Sequence, residues 1–314
     1  MPCLGIVGTF VWDRIHPEPD SSAEGPAPEV HEDWGGIVYS YESFEAARAE
    51  DWTYLPIAKV GADLFAPARA RLAGLAGVRD LEGVRRVSEP NNRVDLHYHD
   101  RGERCEHLRG GVPGWEWREL EPLVGACDAL YVNFIAGWEL DLSAARLLRR
   151  EFDGPIYGDL HSLLLGVDDS GVRVRRPLPD WERWVECFDW LQGNEDEVRV
   201  VSGCSEPLEG ARAITAAGAR GAFVTLGAAG AAWATSEGAE GVVAPDTPRG
   251  PALDPTGCGD VWGAACVADL LAGRPEPQAV RRANAFAATA AGHRGTAGLA
   301  GVLGRAAAAR HATT

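Results

Sequence analysis

Short apolar runs alternate with helix-patterned stretches along most of this chain, and that alternation restricts its fold more than any other feature. Leu4–Gly8, Tyr54–Val60, Val84–Val87, Ala129–Asn133, Ile156–Asp159, Trp190–Gly193 and Ala222–Leu226 read as strands. Between them Tyr39–Ala49, Leu64–Leu75, Ser143–Phe152, Trp181–Phe188 and Glu195–Val201 read as helices. Strands that are apolar throughout need cover on both faces. The expected fold is therefore α/β, a three-layer α/β/α domain with a mostly parallel central sheet. The segment 260–272 reads as a helix closed by Gly273 and Pro275. From Pro277 to Arg310 the chain is alanine-rich and helix-prone, with a break around Gly292–Gly298. A length of 314 residues suits one large domain with a small appendage.

Two segments interrupt the rhythm. Residues 14–34 are rich in Pro, Glu, Asp and Ser and read as an extended excursion from the first strand. Residues 93–99 alternate strictly, and after Asp100-Arg101-Gly102-Glu103 the chain can return as Arg104–Leu108. That hairpin has one apolar face and one face of Arg93, Asp95, His97 and His99. A lone hairpin is unstable in water, so the two segments together predict a small β-sheet lid. The division that follows is a core of 1–13, 35–88 and 110–314 with a lid of 14–34 and 89–109.

A net charge of −16 argues against a duplex nucleic-acid or anionic-membrane partner, since both demand a positive face. It does not exclude a nucleotide, which needs only a local positive field. The seven cysteines are scattered without a Cys-x-x-Cys pair, which fits a reducing compartment and neither a disulfide framework nor a zinc site. Met1–Gly8 lacks a basic segment and no apolar run approaches a membrane span, so the expected location is cytoplasmic.

The chemistry concentrates in Asp254-Pro255-Thr256-Gly257-Cys258-Gly259-Asp260-Val261-Trp262-Gly263. A turn of small residues runs into a helix, so the amides of Gly257, Cys258 and Gly259 converge where the helix dipole is positive. A terminal phosphoryl group suits that place, with Asp260 accepting the proton of an attacking hydroxyl. The competing reading is a tight turn with an acidic residue in the first helical turn.

Together these segments resemble the ribokinase-like carbohydrate kinases, the PfkB family, over nearly the whole chain. Asp254–Asp260 resembles the family's C-terminal signature, which implies Asp260 as catalytic base and Gly257, Cys258 and Gly259 as anion hole. Asn194-Glu195-Asp196-Glu197 resembles its Asn-x-x-Glu element, implying that Asn194 and Glu197 organise Mg2+ through water and that Asn194 borders the nucleotide. Val224–Gly230 resembles the nucleotide-side strand and glycine turn, with Thr225, Gly227 and Gly230 as contacts. Thr256 and Asn284 complete the implied nucleotide set, Asn284 bordering the adenine. On the acceptor side the resemblance implies Asp13 and the paired Gly35 and Gly36. Asp254 and Thr256 lie where the family has a monovalent-cation loop, so K+ joins ATP and Mg2+ as an implied cofactor. A homodimer through the lid is implied as well. The chain departs from the pattern at Pro255, Val11 and Ser40, where relatives carry Thr or Ser, Asn, and Asn nearby.

Several residues admit two readings from sequence. Asn194 and Glu197 share a face three residues apart, which suits a hydrated magnesium ion or simply an acidic helix start. Asp13 follows an apolar strand and reads as a sugar-hydroxyl acceptor or as a polar strand end. Asp159 ends its strand where open α/β sheets bind ligands, whereas His161 reads as a hydrogen-bonded loop residue. His97, His99 and His107 suit a polar lid better than a metal site. Trp12 reads as a stacking platform or as core. Arg173, Arg175 and Arg176 read as a phosphate receptor or as a solvated turn. The function expected is ATP-dependent phosphoryl transfer to a sugar hydroxyl. The alternatives are a nucleoside acceptor or a catalytically silent sensor of sugar or nucleotide.

Overall fold

The computed structural model describes residues 1–16, 30–98, 104–244 and 252–311. Its centre is a nine-stranded sheet in the order β15 (Glu240–Val243), β14 (Ala231–Thr235), β13 (Gly221–Thr225), β12 (Trp190–Asn194), β9 (Ile156–Asp159), β8 (Ala129–Asn133), β1 (Cys3–Val7), β4 (Thr53–Gly61) and β5 (Val84–Val87). The strands from β13 to β5 are parallel and correspond to the seven runs expected from sequence. β14 and β15 add antiparallel at one edge. Sequence gave no sign of them: Ala-Ala-Trp-Ala-Thr has little intrinsic strand preference, and pairing with β13 supplies what propensity lacks.

From β1 the chain builds outward in both directions, to β4 and β5 on one side and to β8, β9, β12 and β13 on the other. The order reverses between β1 and β8, and the crevice beyond the carboxyl ends of those strands is where such sheets hold ligands.

Helices cover both faces. α1 (Ile37–Ala47), α2 (Phe65–Ala73), α8 (Cys258–Leu271), α9 (Glu276–Ala290) and α10 (Leu299–His311) build one apolar cluster. α3 (Trp117–Val124), α4 (Leu142–Glu151), α5 (Trp181–Val185), α6 (Glu195–Ser202) and α7 (Pro207–Ala216) build the other. α3 escaped the sequence reading because Pro122 sits inside it, yet a capping box between Glu116 and Glu119 secures its start. α8 is apolar on nearly every side and buried from Asp260 to Leu270. A helix of that kind has no solvent face to turn, so it is fixed between the sheet, α1 and α9.

The second sheet has the order β3 (His31–Gly36), β2 (Phe10–His16), β6 (Asn92–Tyr98) and β7 (Arg104–Arg109). β2 pairs antiparallel with β3 and parallel with β6, and β6 pairs antiparallel with β7. It is the small second sheet expected from sequence, drawn from residues 10–16, 31–36, 92–98 and 104–109, so it also takes in residues 10–13 and 35–36, which the sequence division assigned to the core. His99, the turn at 100–103 and most of the 14–34 excursion lie outside the described residues. Asp63 fastens the lid to the end of β4, accepting from the backbone of Asn91 at 2.8 Å and from Arg93 at 2.7 Å. A short hairpin of β10 (Leu165–Val167) and β11 (Arg173–Arg175) docks on the outer edge of β7, where Leu108 N–H donates to the Gly171 carbonyl at 2.9 Å. Among the described residues no helix is long and apolar enough to cross a membrane.

Candidate active site

Gly257 caps α8 with φ of +74°, a left-handed conformation that costs glycine nothing and that side chains resist. A β-carbon there would also overlap the ring of Tyr39 on α1. The sequence is therefore constrained twice to glycine, and the helix start lies open, with no side chain capping it. Asp254 shapes the approach by accepting from the Thr256 amide at 2.9 Å. Burial pushes the Cys258 thiol up to about 12, with Asp254 and Asp260 adding to the shift. The thiol donates to the Ala287 carbonyl at 3.6 Å, which together with burial holds Cys258 in its neutral form.

Asp260, in the first turn of α8, is only 4% exposed. It lines a cavity of about 50 Å³ together with Asp13, Gly36, Ile135, His161, Arg173, Thr256 and Gly257. The roof is lid: Val11 and Asp13 from β2, Val94 and Leu96 from β6, and Glu106 from β7. Strand alternation explains the choice, since Val11 and Asp13 share one face of β2 and Trp12 takes the other. Trp12 is not among the residues lining the cavity; its indole donates to Glu32 at 3.3 Å and stands edge-on to Trp34. The stacking platform proposed from sequence is thus turned away. Gly35 backs onto Asp13, where a side chain would overlap the carboxylate. Gly36, at φ +56°, begins α1.

A larger cavity of about 300 Å³ adjoins the first. Glu106, His161 and Arg173 line both, so they form the wall between them. Arg175, Asn194, Asp196 and Glu197 complete its polar lining. Asn194 and Glu197 form a reciprocal cap on α6: Asn194 Oδ1 accepts from the Glu197 amide at 2.9 Å, and Glu197 Oε2 accepts from the Asn194 amide at 2.8 Å. Their side chains also meet at 2.8 Å. The helix-start reading is therefore realised in full. The same carboxylate and amide oxygens, at the cavity wall beside Asp196, fit an ion that keeps its waters. Among the described residues there is no group of three or more His, Cys, Asp or Glu arranged to hold a metal directly. In the lid His97 stacks on His16 and stands edge-on to His107.

Other expected residues sit behind these cavities. Asp159 is buried, accepts from the Tyr131 hydroxyl at 3.4 Å, and is not among the lining residues of either cavity. Burial, then the charge of Asp260, hold its carboxyl well above the usual carboxylate range. Asn284 is likewise buried, accepting from the Trp262 indole at 2.7 Å and donating to the Val243 carbonyl at 3.3 Å. Its side chain straps α9 to α8 and β15. Thr225 ends β13, and Gly227 and Gly230 shape the turn into β14 with φ of +54° and +97°.

Of the residues lining both cavities, Glu106 went unselected by sequence reasoning, while Arg173 was weighed there as a phosphate receptor or a solvated turn and His161 as a loop residue. Arg173 is not solvated: its side chain is 5% exposed, and it donates to Ser162 Oγ at 2.6 Å and to the Ile135 carbonyl at 2.9 Å while pairing with Glu106 at 3.4 Å. His161, read as an ordinary loop residue, has φ of +33° and lines both cavities. Its one available signal was its place just past a strand's carboxyl end. Glu106 was hidden in the returning hairpin strand.

Comparison with known proteins follows the same geometry. Residues 168–300 match the sequence model of the pfkB family carbohydrate kinases. No curated protein matches the chain. Among solved structures, a ribokinase of Arabidopsis thaliana complexed with ribose and ATP superposes with a TM-score of 0.69 at 20% identity, covering 96% of this chain and 98% of its own. A nucleoside kinase of Burkholderia thailandensis in complex with inosine gives 0.75 at 17%, covering 98% and 97%. A pyrophosphate-dependent kinase in the ribokinase family, in a sulfate complex, gives 0.76 at 18%, covering 93% and 96%. At such identities the likeness establishes the fold.

Proposed function

We propose that this chain, whose residues 168–300 match the pfkB family carbohydrate kinases and whose fold is that of the ribokinases, is a kinase of that kind and transfers the terminal phosphoryl group of ATP to a hydroxyl group of a sugar. The observation that carries this reading is the shared cavity, in which Asp260, the uncapped turn at Gly257 and the lid carboxylate Asp13 line one space. Asp13 accepts hydrogen bonds from neighbouring hydroxyls and holds the acceptor, with Gly35 and Gly36 allowing close approach. Asp260 takes the proton of the reacting hydroxyl. That oxygen forms its bond to the terminal phosphorus as the bridging P–O bond breaks and ADP leaves. Charge on the transferring group rests against the amides of Gly257, Cys258 and Gly259, already oriented and already dry.

The donor is assigned to the larger cavity, with Thr256 on the smaller one beside it; Thr225, Gly227 and Gly230, implied by the family likeness, are not among the lining residues of either. Asn194 and Glu197 would hold the waters of Mg2+, and that ion would neutralise donor phosphate charge. Asn284 supports the base-side wall through Trp262 rather than by offering a free amide. Oxygen donors on Asp254 and Thr256 suit K+. The proposal extends to a homodimer through the lids, which light scattering tests, and to a cytoplasmic location.

Cavity chemistry supports a sugar over a nucleoside. Among the described residues the acceptor space is lined by aliphatic and polar side chains, with His161 the one aromatic ring and no Phe, Tyr or Trp for a base to stack on. The test is acceptor-dependent ADP release across sugars, sugar phosphates and nucleosides, with pyrophosphate as a competing donor. Turnover with a free sugar and ATP supports the reading. Preference for nucleosides, for pyrophosphate, or turnover with no acceptor at all contradicts it.

A further inference from the structure

The candidate base does not stand alone in its cavity. Asn133, the last residue of β8, is fully buried, and its Nδ2 donates to Asp260 Oδ1 at 2.7 Å. The same nitrogen reaches Ser40 Oγ at 3.2 Å and the Tyr131 hydroxyl at 3.3 Å. Turning the amide over would set its oxygen against a carboxylate oxygen, acceptor facing acceptor, so the NH2 group must face Asp260. The cost of this arrangement is visible: Asn133 Oδ1 is buried with no hydrogen-bond partner. Buried polar atoms are seldom left unsatisfied. This amide is oriented for Asp260 at the expense of its own pairing.

The ground beneath the helix start is built to the same end. Gln192 Nε2 donates to the Gly259 carbonyl at 3.0 Å, and its Oε1 accepts from Tyr157 at 3.0 Å. Gly263, one turn along, lets the Gln192 amide and the Tyr131 hydroxyl approach α8; a β-carbon there would overlap both. Buried side chains from β8, β9 and β12 thus underpin the first turn of α8.

We propose that Asn133 is the positioning residue for Asp260: its amide fixes one carboxylate oxygen, keeps the group ionised, and leaves the other oxygen for the acceptor hydroxyl. The inference rests on the reading of Asp260 as base. The groups facing Asp260 make such a donor necessary. Asp13 comes from β2, Asp159 from β9, Asp254 and Cys258 from its own turn, Tyr39 and Ser40 from α1, and Tyr131 from β8, with Glu106, His161 and Arg173 across the cavity. The four carboxylates in that set outnumber its one fixed cation, Arg173, which is paired with Glu106, and they disfavour negative charge on Asp260. A fixed N–H donor acts against them.

The experiment is a carbon-13 carboxyl titration of the whole chain by NMR, with the Asp260 signal identified by its loss in Asp260→Asn. In Asn133→Leu, which keeps volume and removes the donor, the Asp260 midpoint rises by about one pH unit. In the isosteric Asn133→Asp it rises further, and that variant carries the test if the leucine variant does not fold. In turnover assays kcat falls about tenfold with KM unchanged, and the acid limb of the kcat profile moves up with the NMR midpoint. An Asp260 midpoint that stays in place in the folded variants overturns the proposal, even where Asp260→Asn proves the base essential. A shifted midpoint in a protein inactive toward every acceptor upholds the positioning role and removes the kinase reading instead.

Discussion

Two helices begin at the same rim of the sheet and solve the same problem in opposite ways. α6 closes on itself, its first amides answered by the Asn194 and Glu197 side chains at 2.9 and 2.8 Å. α8 starts from a left-handed glycine with no side-chain cap, and its one first-turn acid, Asp260, is drawn down to Asn133. A helix start leaves amide donors that must find partners. α6 finds them within the chain, so its N-terminus offers an anion little. At α8 no side chain does this, and the Cys258 amide donates to the Pro255 carbonyl at 3.3 Å. On the function proposed above, the capped start stabilises the fold and the uncapped one faces the ligand.

The comparison breaks most readily at Asp260. Replacing it with asparagine is expected to lower kcat by about 10²–10⁴-fold while leaving ATP affinity unchanged, as measured by steady-state kinetics and calorimetric titration. Gly257→Ala strikes the receptive start itself. The left-handed backbone costs about 1–3 kcal/mol on a non-glycine residue, and the added methyl displaces Tyr39. Turnover is expected to drop about 10²-fold, the loss typical of one misplaced anion-hole donor. An alanine variant as active as the parent would erase the distinction between the two helix starts.

Smaller effects sharpen it. Asn194→Ala removes the reciprocal cap, with an expected loss of about 1 kcal/mol in chemical denaturation. It should also raise the Mg2+ concentration for half-maximal activity; an unchanged requirement would leave the pair with capping as its whole role. Asp159→Asn tests the buried acid beneath the crevice. Burial and the Asp260 charge raise its folded carboxyl above the unfolded one, so the folded state retains the proton longer. Its contribution therefore disfavours folding progressively as pH rises above the ordinary aspartate range. The asparagine variant should lose less stability than the parent between pH 5 and 8, followed by thermal melts.

The parallel sheet was legible because each of its strands is an apolar run bounded by turn residues, a local signal. β14 and β15 were not, because their formation depends on a neighbour, β13, rather than on Ala231–Thr235 itself. The same division holds in the site. Gly257, Asp260, Asn194 and Asp13 occur at motif spacings, so the sequence could offer them as candidates; Gly257, Asp260 and Asp13 line one cavity and Asn194 its neighbour. Asn133, Arg173 and Glu106 converge from β8, β11 and β7, and nothing in their flanking residues distinguishes them from a strand end, a basic turn or a hairpin. Arg173 shows why: a solvated turn and a wall between two cavities have the same local sequence, and only the docking of β11 against β7 separates them.

The most direct measurement is a crystal structure of the chain with ADP, the acceptor that supports turnover, and aluminium fluoride as the mimic of a phosphoryl group in flight. The fluorides should sit against the amides of Gly257, Cys258 and Gly259, with the acceptor hydroxyl between the metal fluoride and Asp260. Fluoride bound at the start of α6, or an acceptor oxygen pointing away from Asp260, would contradict the account.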